Sequence, residues 1–207
     1  RSTPLNSSAA SDVYKRQPSV NLDVWAGDCP PAEDCVVAIG VASYVKGTMD
    51  TIDMLEGTGL TYHHVGGGSA EDIAEIEAHA VGKGVNLVVE SRLSQADLVN
   101  LVKRSRAVVS LARGEPFGLT PIEAQAAGTP ALMVDEGGYR HTIEDGVSGR
   151  LLPRGDWVAW HAALEEAKDS GKRTAWSDAG QQNIAKMGLR PEEQAATLAS
   201  IIDKLRE

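Results

Sequence analysis

Glu115 and Glu123 flank the run Pro116-Phe117-Gly118-Leu119-Thr120-Pro121-Ile122, and the chemistry this chain can do is concentrated there. Gly114 and Gly118 let backbone approach a ligand closely. A helix starting just beyond them leaves its first N–H groups unpaired and carries the positive end of its dipole, which suits a diphosphate. One carboxylate then stands on each side of those amides, one able to accept bonds from sugar hydroxyls and the other from a ribose. Glu123 has a second, purely structural reading. Thr120 as N-cap, Pro121 at the first helical position and Glu123 three residues after the cap form a capping box, worth about 1 kcal/mol to the helix.

Other residue types are less telling alone. Lys46 reads by itself as a solvated charge, Gly66-Gly67-Gly68 as a tight turn at the carboxyl end of a strand, and His141 as a surface or structural residue. His63 and His64 are neighbours on a strand, so they point to opposite faces and cannot share one ion. No metal is expected, because a helix terminus and cations can take its place, and the absence of an Asp-x-Asp pair in a suitable loop agrees. Cys29 and Cys35 fit neither a disulfide framework nor a zinc pattern, which suggests a reducing, cytosolic setting.

The elements that must position these residues alternate. After Asp34, strands are predicted at Val36–Ile39, Thr61–Val65, Val85–Val89, Ala107–Leu111 and Ala131–Val134. Helices are predicted from about Gly47 to Leu55, after Ser69 with Ile73, Ile76 and Ala80 on one face, after the Ser94-x-x-Asp97 cap, and from Thr120 to Gly128. Strands joined by crossover helices form a parallel sheet covered on both faces, hence a doubly wound, Rossmann-like α/β domain whose ligands sit at the carboxyl ends of the strands. From Asp156 onward the pattern is helical, with Trp157, Trp160 and Leu164 on one stripe read as core, a helix through Trp176 to Met187, and a last one from Pro191 to Leu205. Residues 18–155 are thus expected to form the binding domain, with 156–207 packing on it as helices.

The 207 residues are 42% apolar, enough for an ordinary core, and their net charge is −9. No run is long and apolar enough to span a bilayer, and no leader pattern opens the chain. Asp12-Val13-Tyr14-Lys15-Arg16-Gln17 looks like a translated sequencing-library adapter, so residues 1–17 are expected to be adapter-derived and disordered, and the chain to be a fragment. Setting aside Arg1, Asp12, Lys15 and Arg16 leaves 17 basic against 28 acidic residues, a charge of −11. That balance opposes nucleic-acid binding but not a small anion held by local dipoles and a few cations.

The run Glu115-x7-Glu123 continues through Ala124-Gln125-Ala126-Ala127-Gly128-Thr129-Pro130, Asp135-Glu136-Gly137-Gly138 and Glu144-Asp145-Gly146-Val147-Ser148-Gly149-Arg150-Leu151-Leu152. Together with the Gly40 to Gly47 pattern, this block resembles the C-terminal donor-binding domain of the family 4-like retaining glycosyltransferases of the two-domain GT-B fold, over roughly residues 20–205. The resemblance implies that Glu115 contacts hydroxyls of the donor sugar, that amides of Phe117, Gly118 and Leu119, beside Thr120, face sugar and diphosphate, and that Glu123 holds the ribose. It also implies that Lys46, six residues after Gly40, neutralises the leaving diphosphate, and that the loop Ser91–Leu93, with Arg92, cups the base. Two positions depart from the family pattern: Val41 stands where an Arg is usual, and His141 where a Glu is usual. A lost cation on the leaving group costs about 10²–10³ in rate. Arg113 and Arg140, both near strand ends, are candidates to replace it.

The expected function is therefore the donor half of an enzyme that moves a sugar from a nucleotide-diphosphate sugar to an acceptor hydroxyl. Its acceptor domain and catalytic histidine would lie elsewhere, so this chain alone is expected to bind donor without turning it over. Two alternatives are a sugar-nucleotide epimerase or phosphorylase on a related fold, against which the unbroken 114–138 block argues, and a non-catalytic nucleotide-sugar-binding module, for which Val41 argues.

Overall fold

A computed structural model describes residues 20–27, 29–30 and 32–204; the adapter-like segment 1–17 lies outside the described residues. After a short 3-10 turn at Asp23–Trp25 come β1 Glu33–Ile39, α1 Thr48–Leu55, β2 Thr61–Val65, α2 Ala70–Lys83, β3 Asn86–Glu90, α3 Gln95–Arg104, β4 Ser105–Ser110, α4 Leu119–Ala127, β5 Ala131–Val134, α5 Tyr139–Thr142, β6 Arg150–Leu152, α6 Trp157–Glu166, α7 Ser170–Met187 and α8 Pro191–Lys204. All neighbouring strands are parallel, in the order β3-β2-β1-β4-β5-β6. The doubly wound α/β expectation is therefore met.

The chain runs outward from β1 to β3, then crosses back to β4 and runs outward the other way. Right-handed crossovers then place α1 and α2 on one face and α3 and α4 on the other. Val36, Val37, Val108, Val109, Leu132 and Met133 have no exposed surface, as expected of parallel strands covered on both faces. Trp160 and Leu164 are buried, Trp160 donates its indole N–H to the Pro153 carbonyl at 3.0 Å, and Trp157 packs partly buried against the same core. The tryptophan stripe is core. Residues 22–186 group into one unit; the described residues on either side of it group separately, where the Val20 N–H donates to the Leu189 carbonyl at 2.9 Å.

Local cap chemistry behaves as read at two helices. Ser69 accepts from the Asp72 N–H in a full capping box at α2, and Ser94 accepts from the Asp97 N–H at α3. At α4 it does not: Thr120 is no N-cap. The helix begins at Leu119 behind Gly118, which is left-handed (φ 88°), and no side chain caps it. Glu123 is therefore not a capping-box acid. The strand β6 was not foreseen; at three residues, closed by Pro153, it carries too little pattern to stand out.

Candidate functional site

The order of the strands reverses direction between β1 and β4, and the crevice in which sheets of this kind place their ligands falls between the loops that follow these two strands. Gly47, left-handed at φ 67°, sets its Cα so tightly against the Leu111 carbonyl that any Cβ would overlap it. That contact brings the two loops to backbone distance. At Gly40 a Cβ would sit 3.2 Å from Lys46 Cγ, so the lysine stem lies over the glycine. Its ammonium reaches across the crevice to Glu115, with Nζ 3.1 Å from Oε2 and the two side chains 42% and 20% exposed.

The β1 side is fastened from behind by the triple glycine. A Cβ on Gly66 would meet the Gly40 carbonyl oxygen at 2.6 Å, and the Ala42 N–H donates to the Gly67 carbonyl at 2.7 Å. Gly66–Gly68 is thus a close-packing surface as well as a turn. His64 is buried beneath it, with Nδ1 3.1 Å from the Tyr62 hydroxyl and Nε2 3.1 Å from the Gly67 carbonyl. A carbonyl can only accept, so Nε2 carries the proton and Tyr62 donates to Nδ1. Burial lowers the His64 pKa, consistent with a neutral ring in this bridge. His63 points the other way, toward Glu90 at 3.6 Å. The loop at Ser91–Leu93 borders the same glycines, Ser91 Cα lying 3.6 Å from a Cβ built on Gly67; Arg92 in it is exposed.

The β4 side is held by a second set of glycines. The Gly138 N–H donates to the Glu115 carbonyl at 2.7 Å, and a Cβ on Gly138 would come within 2.5 Å of Phe117 backbone. Tyr139 stacks against Gly118 and shares a 2.6 Å hydrogen bond with the Ser110 hydroxyl. Burial pushes the Tyr139 phenol up to about 12. With Gly118 left-handed, Leu119 and Thr120 supply the first helical amides, whose N–H groups have no partner within α4. Among the described residues, the N–H groups of Phe117 and Gly118 also make no hydrogen bond. Glu123, further along α4, is mostly buried and has no ion-pair or hydrogen-bond partner among the described residues, and desolvation raises its pKa to about 7. Four amides and one carboxyl are left unsatisfied at one helix start.

Each of the candidate cations has a definite place. Arg113 lies 4.0 Å above the Tyr44 ring, donates to the Tyr44 carbonyl at 2.8 Å and pairs with Asp50 at 2.7 Å, so it sits on the β1 loop. Arg140 is exposed and turned to Asp135, 2.6 Å away. His141 is exposed, and Val41 is 55% exposed at the position following Gly40. One cation escaped the sequence reading. Arg154 pairs with Asp50 at 2.6 Å and with Glu136 at 2.8 Å, and donates to the Leu111 carbonyl at 2.9 Å, joining the ends of β4, β5 and β6 to α1. Its hydrogen bonds hold the Glu136 carboxyl below the usual range. No sequence signal could have found it, because the three-residue strand before it carries too little pattern to stand out. Among the described residues no group of three or more His, Cys, Asp or Glu is placed to hold a metal ion.

Comparison with known proteins agrees with this geometry. Residues 29–183 match the family described as glycosyl transferases group 1. A D-inositol 3-phosphate glycosyltransferase of Streptomyces coelicolor is 32% identical over 143 residues, which cover 66% of this chain and 31% of that protein. The chain thus spans about a third of that relative. Among solved structures, HepE of Anabaena in complex with UDP superposes with a TM-score of 0.74 at 18% identity, over 91% of this chain and 56% of that one. The C-terminal domain of a glycosyl transferase group 1 family protein from Francisella tularensis superposes with a TM-score of 0.68 at 17% identity, over 81% of this chain and 97% of that one. A sheet of this order, an unsatisfied helix start at its switch point and a family match over most of the chain agree: the chain belongs to the glycosyl transferases group 1 family.

Proposed function

We propose that the crevice between the β1 and β4 loops binds the nucleotide-diphosphate sugar of a retaining glycosyltransferase, with the acceptor site and the catalytic histidine supplied by a second domain. The observation that carries this reading is the pairing of Lys46 with Glu115 beside the unpaired amides of Phe117, Gly118, Leu119 and Thr120. A diphosphate entering the crevice would take Lys46 and the amides as donors. Glu115, released from its ion pair, is then free to accept from sugar hydroxyls. Glu123, part-protonated near neutrality, can both donate to and accept from ribose hydroxyls. The UDP bound to the Anabaena protein of the same fold supports the assignment of ligand class.

In this reading Lys46, the amides and the α4 dipole offset the charge of the leaving group, and no metal is required. Arg113 and Arg140 are the residues to compensate for Val41, Arg113 being the better placed because it already sits on the β1 loop. Two thiols and no disulfide fit a cytoplasmic setting. Titrating UDP-, GDP- and ADP-sugars by calorimetry tests the reading: one of them binds, and Glu115→Ala and Glu123→Ala each abolish that heat. A second reading, a binding module without catalysis, rests on the exposed Val41. Acceptor-dependent transfer by the full-length parent, lost in Lys46→Ala, would exclude it.

A further inference from the structure

At the opposite end of the sheet from the crevice, beside the first residues of β1 and β4, lies a cavity of about 540 Å³. It falls within the range of small-molecule pockets. The chain carries a charge of −9, yet among the described residues this cavity is lined by Arg106, Lys168 and Arg173 and by one carboxylate, Asp34, with Glu165 reaching Arg106 and Lys168 from beside it. Ser170, Thr174 and Ser177 line the same wall, the Thr174 hydroxyl donating to the Ser170 carbonyl at 3.0 Å.

The cations are not all accounted for by the fold. Arg106 is 4% exposed and pairs with Asp34 and, at 3.5 Å, with Glu165, but among the described residues its buried Nε–H has no partner. Arg173 is 9% exposed, and its partners are carbonyls of Arg106, Ala167 and Ser105 and the Cys29 sulfur, with no carboxylate within ion-pair distance among the described residues. A buried guanidinium without a counter-charge is costly unless something anionic completes it. Lys168 is half exposed at the rim and makes only a 3.4 Å contact with Glu165.

We propose that this cavity is a second ligand site, selective for a small phosphate monoester bearing hydroxyl groups. The phosphate is held by Lys168, Arg106 and Arg173, and its polyol portion by Ser170, Thr174 and Ser177. The site is separate from the donor crevice by the length of β4, six residues at roughly 3.3 Å each.

The exposed thiol of Cys29 lines the cavity and provides a reporter, since Cys35, the other cysteine of the chain, is buried. Glycerol 3-phosphate, inorganic phosphate and glycerol are titrated into the chain, following heat by calorimetry and the rate of Cys29 alkylation by iodoacetamide. Glycerol 3-phosphate is expected to bind, to slow alkylation, and to bind more tightly than phosphate, while glycerol does neither. Lys168→Glu, a change at an exposed position, is expected to weaken binding about tenfold or more. Thr174→Trp, which fills the cavity from an exposed helix position, is expected to abolish both signals. Glu115→Ala in the donor crevice is expected to leave them unchanged. Loss of binding in Glu115→Ala with retention in Lys168→Glu would place the anion in the donor crevice and overturn the proposal. Absence of any binding by glycerol 3-phosphate overturns it too, and phosphate binding as tightly as the monoester removes the role given to the hydroxyls.

Discussion

The loops that follow β1 and β4 face each other across the same crevice, but they differ in how their polar groups are spent. On the β1 side part of the backbone is bonded internally, the Gly67 carbonyl taking both the Ala42 N–H and His64 and the Gly40 N–H donating to the Val65 carbonyl at 2.7 Å, while among the described residues the N–H groups of Val41, Tyr44 and Val45 make no hydrogen bond. On the β4 side four amides and the Glu123 carboxyl are left open. The first wall presents a cation, Lys46; the second adds to its amides a carboxyl with no partner among the described residues. Open polar groups at a packed site lower stability, and proteins keep them where function requires it.

Substituting the glycines that hold the walls together breaks the comparison most severely. Gly47→Ala combines a left-handed backbone with overlap on the Leu111 carbonyl, and is expected to cost about 3 kcal/mol or more in urea unfolding. Gly57→Ala, left-handed but facing open space, gives the strain cost alone, about 1 kcal/mol. An equal effect at both positions would show that the loop contact does not matter.

Arg154→Ala leaves Glu136 without its cation and Asp50 with one of its two, and is expected to cost about 2 kcal/mol. Arg113, which shares Asp50, is left in place, so urea unfolding of the double variant with Arg113→Ala tests their coupling.

Glu123→Gln sharpens the contrast by removing a group that the fold keeps at a cost. The folded pKa near 7 is above the ordinary carboxyl value of 4.5, so stability is full below pH 4.5 and is lost as pH rises through 7. The variant is therefore expected to be more stable than the parent at pH 8, by on the order of 2 kcal/mol, and equal to it at pH 4. Thermal melts at both pH values check this, and donor binding should fall in the same variant.

Lys46→Ala has the smallest effect on folding, under about 1 kcal/mol, because its ion pair with Glu115 is partly exposed. Donor affinity should nonetheless fall about tenfold, which calorimetry resolves. Adding EDTA should change neither stability nor donor affinity.

These differences also explain what could be read from the sequence. The strand and helix order, and the caps at Ser69 and Ser94, depend on neighbours within a few residues and were legible. The start of α4 was not, since Tyr139, twenty-one positions away, packs on Gly118, and the N-cap falls at Gly118, two residues before Thr120. Lys46 meets Glu115 across 69 positions and Arg154 meets Asp50 across 104. The first pair could be expected because both residues fall in motifs; the second could not, because a lone arginine after a three-residue strand carries no pattern.

The hydrogen bond from Gly138 to the Glu115 carbonyl has a mechanical consequence. It ties the end of β5 to the loop after β4, with Phe117 backbone pressed on Gly138 and no room between them. The loop after β4 is thus braced at its base from β5, and a side chain added at Gly138 is expected to push the Phe117 backbone and the start of α4 out of place.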